Sequence, residues 1–292
     1  MQTKGIILAG GTGSRLFPAT SGLSKQLLHV YDKPMIYYPL ATLMSSGIQS
    51  FCIIVNRHEV EMFQKLLNDG SQWGIRIEFL IQDSPEGIPQ AFTIAEGFLD
   101  GSDAALILGD NLFIGHGLGR SLAEVASPKG AHIFLYEVEN PENYGIPIFG
   151  EEKRITKLVE KPQISEHNLA IPGLYFFDSS VVERAKALKK SKRGEYEIVD
   201  LLQTYADEGR LTYTELTRGT AWLDTGTPED LFNAGEFVRV IQHRQGSYIA
   251  CLEEIAFRNG WIPVEILESQ QKKMEKSPYG TYLLRLLSRN IL

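Results

Sequence analysis

The chain has 292 residues, 43% hydrophobic and 22% charged, proportions that suit one large globular domain, or one with a small appendage, and a substantial core. No apolar run reaches the roughly 18 residues of a membrane helix, and the first residues pass directly into a strand pattern rather than a signal peptide, so the expectation is a cytoplasmic protein without a membrane partner. A net charge of −7, with no lysine- or arginine-dense block among aromatics, speaks against nucleic acid and leaves room for a small phosphate-bearing ligand where a few cations converge.

In chain order, short β-rich runs alternate with helical patterns through the first half. Strands are predicted at Gly5–Ala9, Phe51–Val55, Ile77–Ile81 and Ala104–Leu108, with helices near Met35–Ser45, Glu59–Leu67 and Pro89–Phe98 between them. This order predicts an α/β fold on a mostly parallel sheet. The second half adds strands at Ile133–Val138, Leu169–Phe177 and Leu211–Leu216 and helices at Val181–Leu188, Ile198–Glu208 and Pro228–Ile241, with turn signals at Asn140-Pro141 and Tyr144-Gly145. After about His243 only short amphipathic stretches follow, Leu252–Arg258 and Tyr279–Leu287 among them. The expected division is a main α/β domain over residues 1–242 and a helical region over 243–292 that caps it or serves an interface. Cys52 and Cys251, far apart in the chain, read as small buried hydrophobes.

The first strand runs into Gly10-Gly11-Thr12-Gly13-Ser14-Arg15-Leu16, where glycines let backbone N–H groups approach phosphate oxygens. A dinucleotide fingerprint would need glycine at Leu16, and no Gly-Lys-Ser/Thr follows at P-loop spacing. A tight turn alone would explain the glycines. Arg15 in the loop and Lys25 beyond it add the fixed positive charge that triphosphate chemistry needs.

The apolar run ending at Leu108 delivers Gly109-Asp110-Asn111, so Asp110 lies just past the C-terminal edge of a strand, where open α/β sheets bind ligands. Asp224, in Trp222-Leu223-Asp224-Thr225-Gly226-Thr227, precedes a helix that starts at Pro228. Two carboxylates suit Mg²⁺; helix capping is the lesser alternative for Asp110, and taken without the other motifs Asp224 could equally serve a turn. Glu160-Lys161-Pro162 and Arg193-Gly194-Glu195 supply further charges at element ends, where a phosphorylated sugar could be held. The six histidines show no metal-ligand spacing and read mostly as surface or loop residues.

These segments together with Ser24-Lys25-Gln26-Leu27-Leu28, Tyr31-Asp32-Lys33-Pro34-Met35, Asn140-Pro141-Glu142-Asn143-Tyr144-Gly145, Gly173-Leu174-Tyr175-Phe176 and Glu253-Glu254-Ile255-Ala256 resemble, in order and nearly end to end, the glucose-1-phosphate thymidylyltransferases of the sugar nucleotidyltransferase family. The resemblance implies a Rossmann-like nucleotidyltransferase fold with an inserted sugar-binding part and a small C-terminal helical region. It implies dTTP and glucose 1-phosphate as substrates, pyrophosphate as a product, Mg²⁺ as cofactor and a homotetramer that feeds dTDP-rhamnose synthesis. Carried over residue by residue, Leu8, Gly10, Gly11, Gly13 and Gln26 with Arg15 and Lys25 form the triphosphate site, and Gln82, Pro85 and Gly87 form the base site. Tyr144, Gly145, Glu160, Lys161, Ile171, Arg193 and Glu195 hold the sugar phosphate, and Asp110 and Asp224 hold the metal. A regulatory site includes Glu254, Ile255 and Arg258.

The chain departs from the family pattern at Pro89, Pro147, Pro172, Ile148 and His29. Proline removes an N–H donor, so an altered or broadened sugar scope is expected. A uridylyltransferase and a non-catalytic nucleotide-sugar sensor are the alternative readings.

Overall fold

A computed structural model describes residues 3–288. In β1 (Lys4–Leu8) two adjacent isoleucines are both fully buried, Ile7 in one apolar layer and Ile6 in another. Successive side chains of a strand face opposite ways, so a strand apolar at neighbouring positions must be covered on both sides. Each fully buried side chain of this size contributes about 1.5–3 kcal/mol. A short hairpin follows, β2 (His29–Val30) with β3 (Lys33–Pro34), and leads to α1 (Tyr37–Ser45). The same two-faced pattern recurs in β4 (Ser50–Val55), with Phe51 and Ile53 on the layer of Ile7 and Cys52 and Ile54 on the other.

Next come α2 (Val60–Leu67), β5 (Arg76–Ile81), two short helices α3 (Gln90–Ile94) and α4 (Glu96–Leu99), and β6 (Ala104–Leu108). The single helix expected at Pro89–Phe98 breaks at Ala95, whose ψ of 7° departs from helical geometry. β1 pairs in parallel with β4 on one side and β6 on the other, and β5 extends the β4 side. The chain therefore fills one half of the sheet before crossing to the other, which leaves a crevice at the C-terminal ends of β1 and β6.

The other half is built from β7 (Asn111–Ile114), α5 (Leu118–Glu124), β8 (Ala131–Glu137), a hairpin of β9 (Gly145–Phe149) and β10 (Ile155–Glu160), β11 (Leu169–Ala170) and β12 (Leu174–Phe177). Then follow α6 (Val181–Ala187), α7 (Ile198–Asp207), β13 (Leu211–Glu215) and β14 (Ala221–Asp224). β12 is antiparallel to β6 and β8, whereas β13 runs parallel to β8, so the eight-stranded sheet is mostly parallel. β14 and β7 form a separate antiparallel pair that sets Asp224 opposite Asn111.

The strand expected at Leu169–Phe177 is interrupted between β11 and β12. Pro172 offers no N–H there, and Gly173 passes so close to its neighbours that a Cβ would lie 2.6 Å from the Leu108 side chain and 2.9 Å from Asn111 Oδ1. The β9–β10 hairpin was hidden from a pattern reading by its Gly145 and Pro147. Pro147 fits because its partner is Leu158, whose N–H turns outward to Gln203 Oε1 (3.0 Å) while the Pro147 carbonyl turns outward to His167 Nε2 (2.7 Å). At such a non-hydrogen-bonded pair the ladder needs no N–H from the proline.

α8 (Pro228–Gln245) runs through the boundary expected after residue 242 and stops at Gly246, in the left-handed conformation at φ 65°. Beyond it, α9 (Leu252–Arg258), α10 (Val264–Lys273) and α11 (Pro278–Ser288) pack Leu252, Leu267 and Leu283 into the same layer as Ile7 and Phe51. The C-terminal helices thus share the main core. Among the histidines, His132 is buried in β8, and burial lowers its pKa to about 4.

The start of α8 is held by a capping box in which Asp230 N–H donates to Thr227 Oγ1 (3.2 Å) and Thr227 N–H donates to Asp230 Oδ2 (3.1 Å). Replacing an N-cap threonine by alanine costs about 1 kcal/mol. Thr227→Ala is expected to lower the unfolding free energy by that amount, seen as a lower urea midpoint at unchanged slope, while Thr227→Ser stays near wild type.

Candidate active site

The loop after β1 begins at the crevice. Gly13 adopts φ 60°, a left-handed value that suits glycine, and its carbonyl accepts the Thr20 hydroxyl (2.8 Å). Gly10 lies against Gln82, so a Cβ there would come 2.3 Å from Gln82 Oε1, whereas Gly11 faces open space. Leu8 O accepts the Gly109 N–H (2.9 Å), which ties the end of β1 to the segment carrying Asp110. Gln26 is buried beneath Gly109, and its Oε1 accepts from Ser24 Oγ (2.9 Å).

Lys25 is buried and its Nζ lies 2.6 Å from Asp110 Oδ2. The other Asp110 oxygen accepts from Asn111 Nδ2 (3.0 Å). Asn111 is itself fixed, because its Oδ1 accepts from Trp222 Nε1 (2.8 Å) and from Gly173 N–H (3.1 Å). On the other side, buried Thr225 donates its hydroxyl to the Asp110 carbonyl (2.9 Å). Asp110 and Asp224 are therefore presented by two segments bonded to each other. Burial raises the pKa of Asp224 and the Asp110 charge raises it further, against the pull of Lys25 and Arg15. The Arg15 guanidinium reaches this point from the glycine loop: a Cβ on Gly226 would lie 3.2 Å from it.

Beside the carboxylates lies a hollow of about 130 Å³, lined by Tyr144, Gly145, Glu160, Ile171, Trp222 and Asp224 among others. Trp222 meets Tyr144 edge-on at 5.0 Å between centroids. Burial raises the pKa of Glu160, with Lys161 opposing and Glu197 adding to the shift. Lys161 has φ 45°, a left-handed conformation that costs a non-glycine residue about 1–3 kcal/mol, and its N–H donates to Tyr144 O (3.0 Å).

The profile of the nucleotidyl transferase family matches residues 4–240. The chain belongs to that family. It is 51% identical over 287 residues, 98% of this chain and 100% of the relative, to the glucose-1-phosphate thymidylyltransferase of Mycobacterium tuberculosis, and 50% identical over 98% and 100% to that of Neisseria meningitidis. A crystal structure of a candidate glucose-1-phosphate thymidylyltransferase from Bacillus anthracis, in complex with a sucrose, superposes with a TM-score of 0.74 at 36% identity over 81% of this chain and 95% of that one. A UDP-glucose pyrophosphorylase complexed with UDP-glucose shares the fold at a TM-score of 0.72 and 24% identity, over 82% of this chain and all of that one.

In this nucleotidyl transferase the two loops on the rim are tied together. Tyr196 N–H donates to Glu86 O (2.8 Å), and Gly87, at φ 108°, passes so close to Tyr196 O that a Cβ would lie 2.0 Å away. Pro85 is exposed on the same rim. Arg193 is drawn toward three carboxylates, Glu195 at 3.4 Å, Glu197 at 3.8 Å and Glu160 at 3.9 Å, so Glu195 reaches the site through Arg193 and not through the hollow.

Glu254, Ile255 and Arg258 stand apart on α9. Glu254 accepts from Arg258 Nε (2.8 Å) and from the Tyr282 hydroxyl, while Ile255 helps line a separate hollow with Tyr38, Phe113 and His116. Of the residues expected to alter sugar scope, Pro147 and Ile148 line a different hollow with Phe149, Ile164 and His167. Pro89 stands just before α3, next to Ile88, and Pro172 lies in the chain between Ile171 and Gly173, two residues that line the hollow beside the carboxylates. Asn111, Trp222 and Thr225 emerge as supports that motif reading had not singled out. Their signal was adjacency to Asp110 and Asp224.

The raised pKa of Asp224 has a consequence for stability. A carboxyl whose folded pKa lies above its ordinary value of 3.8 leaves the fold unaffected below that value and destabilises it as pH rises through the folded pKa. Asp224→Asn is therefore expected to unfold at a higher temperature than wild type at neutral pH in metal-free buffer. Calorimetry at falling pH should show the difference shrinking.

Proposed function

We propose that this nucleotidyl transferase transfers a deoxythymidylyl group from dTTP to α-D-glucose 1-phosphate, releasing pyrophosphate and forming dTDP-glucose. The observation that carries the reading is the arrangement at the crevice: Lys25, Asp110, Asp224 and Arg15 converge between a glycine loop and a sugar-sized hollow. The names of relatives about half identical over nearly the whole chain support it.

In this reading the backbone N–H groups of Gly10, Gly11 and Gly13, with Leu8 and Gln26 beneath, hold the triphosphate, and Arg15 and Lys25 neutralise the departing pyrophosphate. Gln82, Pro85 and Gly87 address the base. Tyr144, Gly145, Glu160 and Ile171 hold the sugar, while Lys161 and Arg193, the latter kept in place by Glu195, bind its phosphate. The residues fit Mg²⁺: each Asp110 oxygen uses one lone pair on Lys25 or Asn111 and keeps another, and Asp224 stands close enough that its ionisation is opposed without a cation. When bound between Asp110 and Asp224, Mg²⁺ supplies charge neutralisation at the α-phosphate.

An oxygen of the sugar phosphate forms a bond to the α-phosphorus as the bond to pyrophosphate breaks. The attacking phosphate is largely ionised near neutral pH, so no general base is needed and the protein contributes positioning and charge. We further propose that the chain works in the cytoplasm as a homotetramer, which exposed Phe17, Phe232 and Val240 support, and that Glu254, Ile255 and Arg258 belong to a regulatory site.

Pyrophosphate release, measured with Mg²⁺, glucose 1-phosphate and each of five nucleoside triphosphates, tests the reading. dTTP should be fastest and UTP second, since one methyl separates them and is worth about 1–3 kcal/mol. Silence with all five would refute the assignment. Asp110→Asn is expected to lower turnover about 100-fold or more with the far-ultraviolet spectrum unchanged; near-normal turnover at saturating Mg²⁺ would remove Asp110 from its role.

A further inference from the structure

Lys33 is 3% exposed and takes no part in the chemistry described. Its Nζ lies 2.5 Å from Asp32 Oδ1 and donates to Gln242 Oε1 (3.3 Å), and the rings of Tyr38, Tyr248 and Tyr279 surround it at 5.4, 5.6 and 5.9 Å. Burial lowers its pKa, which Asp32 opposes. Gln242 closes the group by donating Nε2 to Asp32 Oδ2 (3.1 Å) and accepting the Ile249 N–H (2.9 Å). A buried ammonium that depends on one carboxylate and three rings is expensive to keep, so what it is attached to matters.

Two rigid members lead from this group to the reacting centre. One is the segment from Lys25 to Ile36, folded back on itself by the β2–β3 pairing and by bonds from Met35 N–H to Leu28 O and from Ile36 N–H to Gln26 O, both 2.9 Å. Its far end holds Asp32 and Lys33, and its near end holds the Lys25 that touches Asp110. The other is α8, with Gln242 near its C-terminal end and its capped start three residues after Asp224, about 22 Å away at 1.5 Å per residue. The two members also meet beside the site, where the Thr225 hydroxyl contacts Met35 Sδ (3.2 Å) and the Asp110 carbonyl.

We propose that Asp32, Lys33 and Gln242 are positioning residues that lock these two members together, and thereby set Lys25 against Asp110 and Asp224 opposite them. Because Tyr248 and Tyr279 come from beyond residue 243, the C-terminal region is part of the positioning device. The kinetic side of the inference rests on the transfer reaction proposed above; the structural side does not.

The test compares full-length Lys33→Met with Val181→Ala, which thins a separate apolar cluster on α6 without touching the lock. Hydrogen exchange should quicken at residues 24–28 and 225–231 in Lys33→Met and not in Val181→Ala. Turnover should fall about 10-fold or more in Lys33→Met at saturating substrates, because small misplacements of reacting groups are costly. The KM for glucose 1-phosphate, whose proposed contacts from Tyr144 to Arg193 lie outside both members, should stay within about twofold. If Lys33→Met does not fold, Gln242→Leu, which leaves the ion pair in place, should show the same exchange pattern. Unchanged exchange in both segments of a folded variant overturns the proposal, as does a Lys33→Met enzyme that loses thermal stability yet keeps wild-type turnover. A wild type that releases no pyrophosphate would refute the reaction, and the exchange comparison would still decide the lock.

Discussion

Asp110 stands close enough to Asp224 to oppose its ionisation, and much of the molecule is arranged to keep the two carboxylates there. Asp110 is held by both of its oxygens and by its carbonyl, through Lys25, Asn111 and Thr225. Asp224 has no such partner among the described hydrogen bonds, and burial works against its charge. A group left in this state lowers the stability of the fold unless something positive joins it. Stability has been surrendered at the point where charge must be handled, a pattern expected of an active site and not of a structural ion pair.

The crevice that receives these groups follows from strand order. Because β1 sits between β4 and β6, the loops leaving β1 and β6 diverge, and the space between them cannot be filled by either connection. Close backbone approach completes it. Gly173 lies against Leu108 and Asn111, and Gly10 against Gln82, so a side chain at either position would collide with a neighbour that the site uses. The glycines here allow layers to touch more than they allow the chain to bend.

How much of this was legible in the sequence depended on the range of the interaction. Strands β1, β4 and β6 announced themselves, because an interior parallel strand must be apolar on both faces and that is a local property. Asp110 and Asp224 were visible from their places at strand ends. The β9–β10 hairpin was not, since Pro147 is tolerated only through a pairing phase that depends on Gln203 and His167, distant in the chain. Nor was Asn111's role, which needs Trp222 and Gly173 to be brought from elsewhere. The break at Pro172 could have been anticipated from the missing N–H alone.

The boundary drawn at about residue 242 follows the end of the strand pattern, and packing runs across it. Strands cease there, so composition suggests a new unit, yet α8 continues through the boundary and the following helices bury Leu252 and Leu283 beside Phe51. An appendage held by exposed contacts opens at little cost; one that shares a core layer uncovers that layer when it opens, which raises the cost. Tyr248 and Tyr279 also supply two of the three rings around the Lys33 ammonium. Loss of the C-terminal helices would therefore expose apolar surface and strip the shield from a buried charge in the same event.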